Sequence, residues 1–206
     1  MTISATTQGI RPGVCTSSNR PATPFEGQMI YETDTDVLAI WNGSAWRIIG
    51  AAAATSGSVL QIQSTTKTDR FTTSSTSYVD VTGLSVSITP KSATSKIFVL
   101  FSGNGSGATG AAAVHLRMMR GATAINVGDA GGSRTQATTG GISDSAEVFG
   151  MSSIFLDSPA TTSATTYSIQ VRSNGTGIAI NGAVTDTDIV QRARTTSTIT
   201  VMEIAG

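Results

Sequence analysis

From residue 59 to the C-terminus the chain is a succession of short runs in which Val, Ile and Thr recur at every second position, each run stopped by Gly, Pro or Asn-Gly. Period-2 alternation sends successive side chains to opposite sides of a strand, so such a chain buries apolar surface only by packing sheet on sheet or closing a barrel. The runs are VLQIQ at 59–63, then Val79 and Val81, then Leu84, Val86 and Ile88 up to Pro90. Gly83 lies where the apolar phase changes from odd to even positions, the pattern of a bulge or tight bend. KIFVLF at 96–101 is apolar at both parities, which predicts a central strand covered on both sides. Further runs are SIFL at 153–156, the alternation Tyr167, Ile169, Val171, then Ile178 and Ile180 between two Asn-Gly pairs, and TITVMEI at 198–204. The fold class expected is all-β, an antiparallel sandwich or barrel.

The first quarter is organised differently, around NRPATPFEGQMIYETDTDVLAIWNGSAWRII at 19–49. Asn42-Gly43 between two apolar runs predicts a hairpin with a two-residue type I′ turn, because that turn needs two residues tolerant of positive φ. Trp41 and Trp46 flank it and are expected to pack on one face, with Tyr31 in a neighbouring strand. An aromatic cluster of this kind is expected to be the main stabiliser of so small a module. Residues 1–18 are small and polar and read as an N-terminal arm that cannot fold alone. Residues 19–50 are the hairpin module, 51–58 (AAAATSGS) a linker or neck, and 59–206 the large domain.

Charge removes several function classes. Thirteen Lys+Arg balance thirteen Asp+Glu, so neither a nucleic-acid surface nor attraction to an anionic membrane is expected. No apolar run is long enough for a transmembrane helix, and the N-terminus lacks a basic region followed by an apolar core. Synthesis and assembly in a cytoplasm are the expectation. A neutral surface rich in Thr, Ser and Ala suits an oligomer better than a monomer. Cys15 is the single cysteine, so no intrachain disulfide is expected.

The chemical motifs are weak. Gly105, Gly107 and Gly110 match G-x-G-x-x-G after a strand, with Asp129 about twenty residues on, but the following Val114, Leu116 and Met118 have strand rather than helix period. A glycine connection between two strands is the better reading. His115, the only histidine, has no carboxylate cluster in sequence and reads as a polar-face or satisfied interior residue. The acidic runs at 32–36 and 186–188 lack the glycine and terminal glutamate of a calcium loop. No cofactor, no metal and no catalytic residue is expected.

Two stretches carry a resemblance. RPATPFEGQMIYETDTD with WNGSAW resembles a short module of tail-fibre and other virion proteins of tailed bacteriophages, marine and cyanobacterial ones especially. SVLQIQSTTKTDRFTTSSTSYVDVTGLSVSITPKSATSKIFVL, GDAGGSRTQ, FLDSPATTSATTYSIQVRS and TSTITVMEIAG, spread over 58–206, resemble a second module found at the ends of phage fibres. The resemblance implies a jelly-roll-like β-sandwich head, trimeric, with no catalytic motif. It implies a virion structural protein of tail-fibre type; a head decoration protein or head fibre is the alternative, and a polysaccharide hydrolase the rival from another class. The partners expected are two further copies of the chain, other virion proteins through residues 1–50, and a host-surface glycan.

Contact with a host is expected at 126–150, NVGDAGGSRTQATTGGISDSAEVFG, read as one long glycine-rich loop. Its Asp129, Arg134, Gln136 and Asp144 are side chains suited to sugar hydroxyls or charged surface groups.

Overall fold

The computed structural model describes residues 12–49, 55–108, 110–143 and 147–206. The chain divides into two compact units, Met1–Thr55 and Ser56–Gly206. Every regular element among the described residues is a strand.

The first unit is a four-stranded sheet of β1 (Gly13–Cys15), β2 (Met29–Glu32), β3 (Val37–Trp41) and β4 (Trp46–Ile49) in that spatial order. β1 pairs in parallel with β2, so residues 13–15 are part of the small sheet and not of an unfolded arm. Residues 1–11 of that arm, and 51–54 of the neck, lie outside the described residues. Trp41 pairs directly with Trp46, their rings 5.6 Å apart in an edge arrangement. The connection is therefore four residues, 42–45, and not a two-residue turn. Only Gly43 takes positive φ; Asn42 instead closes the loop with its side chain, Oδ1 accepting from the backbone N–H of Ser44 and Ala45. Such an Asx turn uses the asparagine carbonyl in place of a backbone one.

The buried centre of this unit is smaller than the aromatic pattern predicts. Ile30 and Ala39, paired across β2 and β3, are the apolar residues fully removed from solvent, whereas both tryptophans stay half-buried. Glu32 is buried beside them and bound by Arg20 Nε at 2.5 Å and Thr35 Oγ1 at 2.9 Å. The hydrogen bond from the Arg20 guanidinium holds the Glu32 carboxyl below its usual range. Nearby, Asp34 accepts from the Ser17 amide and hydroxyl, and Asp36 accepts from the Tyr31 hydroxyl. Each acidic side chain of the 32–36 run is thus spent on a fold contact.

The second unit is a β-sandwich. Its strands are β5 (Val59–Lys67), β6 (Phe71–Thr73), β7 (Val79–Ile88), β8 (Lys96–Gly107), β9 (Ala112–Arg120), β10 (Thr123–Ile125), β11 (Thr139–Ser143), β12 (Phe149–Asp157), β13 (Thr165–Ser173), β14 (Ile178–Ile180) and β15 (Ser197–Ile204). One sheet runs β5-β15-β8, with β12 on the other flank of β8 and the short β14 and β6 continuing from its end. The other runs β7-β13-β9, with β10 and β11 along the remaining flank of β9. The chain alternates between the sheets, every long pair is antiparallel, and the order is that of a double-sheet jelly roll. The neck expected at 51–58 ends inside this unit, since Gly57 and Ser58 exchange backbone hydrogen bonds with Ala205.

Ile97, Val99 and Phe101 of one sheet meet Leu116, Ile169 and Val171 of the other in a single core. Burying each such side chain contributes about 1.5–3 kcal/mol. Gly83, at φ +82°, carries the bulge: four residues of β7, Val81 to Leu84, oppose Ile169 alone. The bulge keeps both Val81 and Leu84 inward, which strict alternation forbids. Of the glycine motif, Gly105 and Gly107 are ordinary strand residues at the end of β8.

KIFVLF forms the first half of β8, a central strand, but its outer side is not fully covered by the described residues. Phe98 and Leu100 point away from the core and remain half-exposed. Between the sheets, Asp157 of β12 accepts from Arg120 Nη1 at 2.8 Å and from the Tyr167 hydroxyl at 2.7 Å. Tyr167 is wholly buried, and burial, together with that carboxylate, pushes its phenol far above the usual range.

Candidate functional site

The outer face of the β7-β13-β9 sheet is built from the second parity of its strands. Alternation that sends Tyr167, Ile169 and Val171 inward leaves Ser168, Gln170 and Arg172 outward, beside Arg117 and His115 of β9. Across the middle of the face the polar groups satisfy one another. Arg117 Nε donates to Gln170 Oε1 at 2.8 Å, Gln170 Nε2 donates to Asp80 Oδ1 at 2.9 Å, and the Arg117 guanidinium lies 4.1 Å above the Tyr78 ring.

Next to that row, where Arg172, His115 and Gly140 lie side by side on β13, β9 and β11, the pairing is incomplete. His115 Nδ1 and Arg172 Nε are both buried and have no hydrogen-bond partner. Burial, helped by Arg172, holds the His115 imidazole below its ordinary value, so it is neutral at neutral pH. An open groove of about 550 Å³ lies here, lined by His115, Asp129, Arg134, Gln136, Gly140 and Ile142 among others. Gly140 helps to open it: a Cβ there would come within 2.6 Å of the Val114 carbonyl and 3.3 Å of the imidazole.

The wall of the groove is the loop before β11. The segment expected to be one long loop, 126–150, is in fact a loop, the strand β11 and the start of β12. The loop proper is fastened at several points. Gln136 Nε2 donates to the Gly128 carbonyl, the Tyr78 hydroxyl donates to the Gln136 carbonyl at 2.6 Å, and Arg172 Nη1 donates to Thr135 Oγ1 at 2.8 Å. Asp129, Arg134 and Gln136 therefore come together around one groove, whereas Asp144 lies outside the described residues. Arg134 is exposed, and among the described residues no ion pair ties it or Asp129. Sequence reasoning missed Arg172 and Thr135, because only strand register places Arg172 opposite His115. The alternation of β13 was the one signal pointing Arg172 outward.

The large sheet presents the opposite character. Its outer side carries a row that is apolar across four strands: Ile62, Met202, Phe98 and Leu156, in register on β5, β15, β8 and β12. The next row is Ser64, Thr200, Leu100 and Ile154, and the one after it Thr66, Thr198, Ser102 and Ser152. Ile62, Ile154 and Leu156 are 54%, 62% and 53% exposed. Scattered surface apolar residues are ordinary, but a contiguous row of them marks a contact surface.

No family model and no curated protein matches the chain. Among solved structures, a chain in the structure of infectious bursal disease virus Gx strain is similar at a TM-score of 0.40 and 9% sequence identity, over 80% of this chain and 44% of that one. This chain thus spans less than half the length of that one, and a likeness at this score carries no argument about function.

Proposed function

We propose that this protein is a bacteriophage virion structural component, a homotrimeric tail-fibre-type appendage. Copies associate through the outer face of the large sheet, residues 1–50 dock to other virion proteins, and the groove walled by Asp129, Arg134 and Gln136 faces a host-surface glycan. The observation that carries the reading is the apolar row Ile62, Met202, Phe98 and Leu156 with its hydroxyl-rich border. Among the described residues, the only charged side chain paired into that part of the face is Lys96, at its margin and bonded to Ser158. A neutral patch of this kind meets further copies of itself without like-charge repulsion. The resemblance to phage fibre modules supplies the virion context. A structural rather than enzymatic role is supported by how the buried carboxylates are used: Glu32, Asp157 and Glu203 are each engaged by donors of the fold.

Light scattering on the purified chain tests the assembly. A mass three times the 21.0 kDa of one copy is expected at micromolar concentration, and a stable monomer overturns the reading. Antibody against residues 59–206, imaged on intact particles, is expected at the tail. Label on the head replaces the tail-fibre assignment with head decoration.

A further inference from the structure

Polar side chains at and beside the groove are left without partners among the described residues. Arg134 stands at its rim without an ion pair among the described residues, Arg172 lies beside His115 on β13 with Nε unpartnered, and His115 Nδ1 is likewise unmatched. Among the described residues, the charged groups around the imidazole are Arg172 from β13, Arg117 on its own strand, and Arg134 and Asp129 from the loop; β11 contributes the uncharged Thr139, Gly140, Gly141 and Ile142. Among the described residues, three guanidinium groups thus stand near one carboxylate. Arg117 is engaged by Gln170 and Tyr78, while Arg172, on the strand beside His115, is fixed by Thr135. A guanidinium fork matches a carboxylate in shape and charge, and such charge-assisted bonds are about twice as strong as neutral ones. The floor beside His115 is bare backbone at Gly140, and the open groove of about 550 Å³ has room for a pyranose ring. The Gln136 amide and Thr135 hydroxyl on its wall suit ring hydroxyls.

We propose that this groove binds an acidic saccharide through its carboxylate, with Arg134 as the anchor at the rim, Arg172 supplying positive potential from the neighbouring strand, and Gln136 and Thr135 meeting ring hydroxyls. The assignment rests on the groove being the host-facing surface and is independent of how copies assemble.

His115 is the only histidine in the chain, so its imidazole Cε1–H gives a single NMR signal that reports directly on the groove. Titration of the intact protein with trigalacturonate is expected to shift that signal saturably. A bound carboxylate favours imidazolium, so the His115 titration midpoint is expected to move to higher pH. Maltotriose, of equal length and uncharged, is expected to leave it in place. Arg134→Ala, at an exposed position where the side chain lies over the Gly131 turn and makes no ion pair among the described residues, is expected to weaken trigalacturonate about tenfold or more, with Arg134→Lys recovering part of the loss. Equal binding of maltotriose overturns the carboxylate assignment while leaving the host-contact reading intact. Binding of triglutamate as tight as trigalacturonate overturns the saccharide assignment. No shift with any of the three at millimolar ligand overturns the site, and the light-scattering mass still decides assembly separately.

Discussion

The two sheets of the sandwich share one core and differ on their outer sides. The inner positions are interchangeable in kind: Ile97, Val99 and Phe101 on one sheet, Leu116, Ile169 and Val171 on the other. Outside, the β5-β15-β8-β12 sheet shows Ile62, Met202, Phe98 and Leu156 in one row, whereas the β7-β13-β9 sheet shows Asp80, Gln170 and Arg117 in the corresponding role. Core burial stabilises both sheets together, so the outer positions are free to differ. A face that satisfies its polar groups and remains wetted is suited to small, reversible ligands. A face with contiguous apolar side chains gains by excluding water against another surface.

The comparison breaks most directly at the edge strand β12. Ile154→Asp with Leu156→Asp places two charges on the apolar face at positions already more than half exposed. Two lost apolar contacts at ~2 kcal/mol each weaken association by about a thousandfold. Sedimentation is expected to show monomer at concentrations where the unmodified chain is assembled, with the melting temperature of the sandwich little changed. An unaltered mass would locate the interface elsewhere.

A middle-sized effect comes from Glu203, on the inner side of the strand that carries Met202. Its carboxylate accepts from Gln61 Nε2 and from the Lys91 backbone, both at 2.6 Å. Burial by itself raises the carboxyl, but these hydrogen bonds outweigh it and hold the folded-state value below the ordinary range. The contribution is therefore complete above the ordinary carboxylate range and fades as pH falls through the depressed value. Glu203→Gln is expected to cost about 1–3 kcal/mol at neutral pH. Thermal melts followed into acid should show the two proteins converging, and a constant gap would mean that the charge is not what matters. The smallest effect sharpens the contrast from the other side. Ser168→Asp on the polar face is expected to change stability by less than ~0.5 kcal/mol and leave the assembled mass alone.

The legible parts were those governed by local chemistry. Alternation identified β7, β13 and β15, and the phase change at Gly83 marked the bulge, because a positive-φ glycine is a local requirement of that geometry. The hairpin around Asn42-Gly43 was legible as a hairpin but not as a four-residue loop. An asparagine that closes a turn through its side chain has the same sequence signature as one that adopts positive φ. The strand β11 escaped because TGGIS has two glycines and little apolar period; it forms because β9 offers a free edge to pair with.

Of the groove, Asp129, Arg134 and Gln136 could be read from the loop as polar side chains in an irregular segment, but Arg172 and His115 could not be read as neighbours. They are fifty-seven positions apart and meet only through the β9–β13 register. The same holds for the buried carboxylates Glu32, Asp157 and Glu203, which sequence reasoning treats as surface charge until their donors are placed. By itself the sequence determined what alternation and turn chemistry determine: an all-β chain, the inward side of strands with a clean alternation such as β7 and β13, and positions such as Gly83 where the backbone must bend. Only the tertiary structure decided which outer positions stand side by side. Strand order and register are set by long-range pairing, and the row Ile62, Met202, Phe98 and Leu156 exists only once four distant strands lie in one sheet.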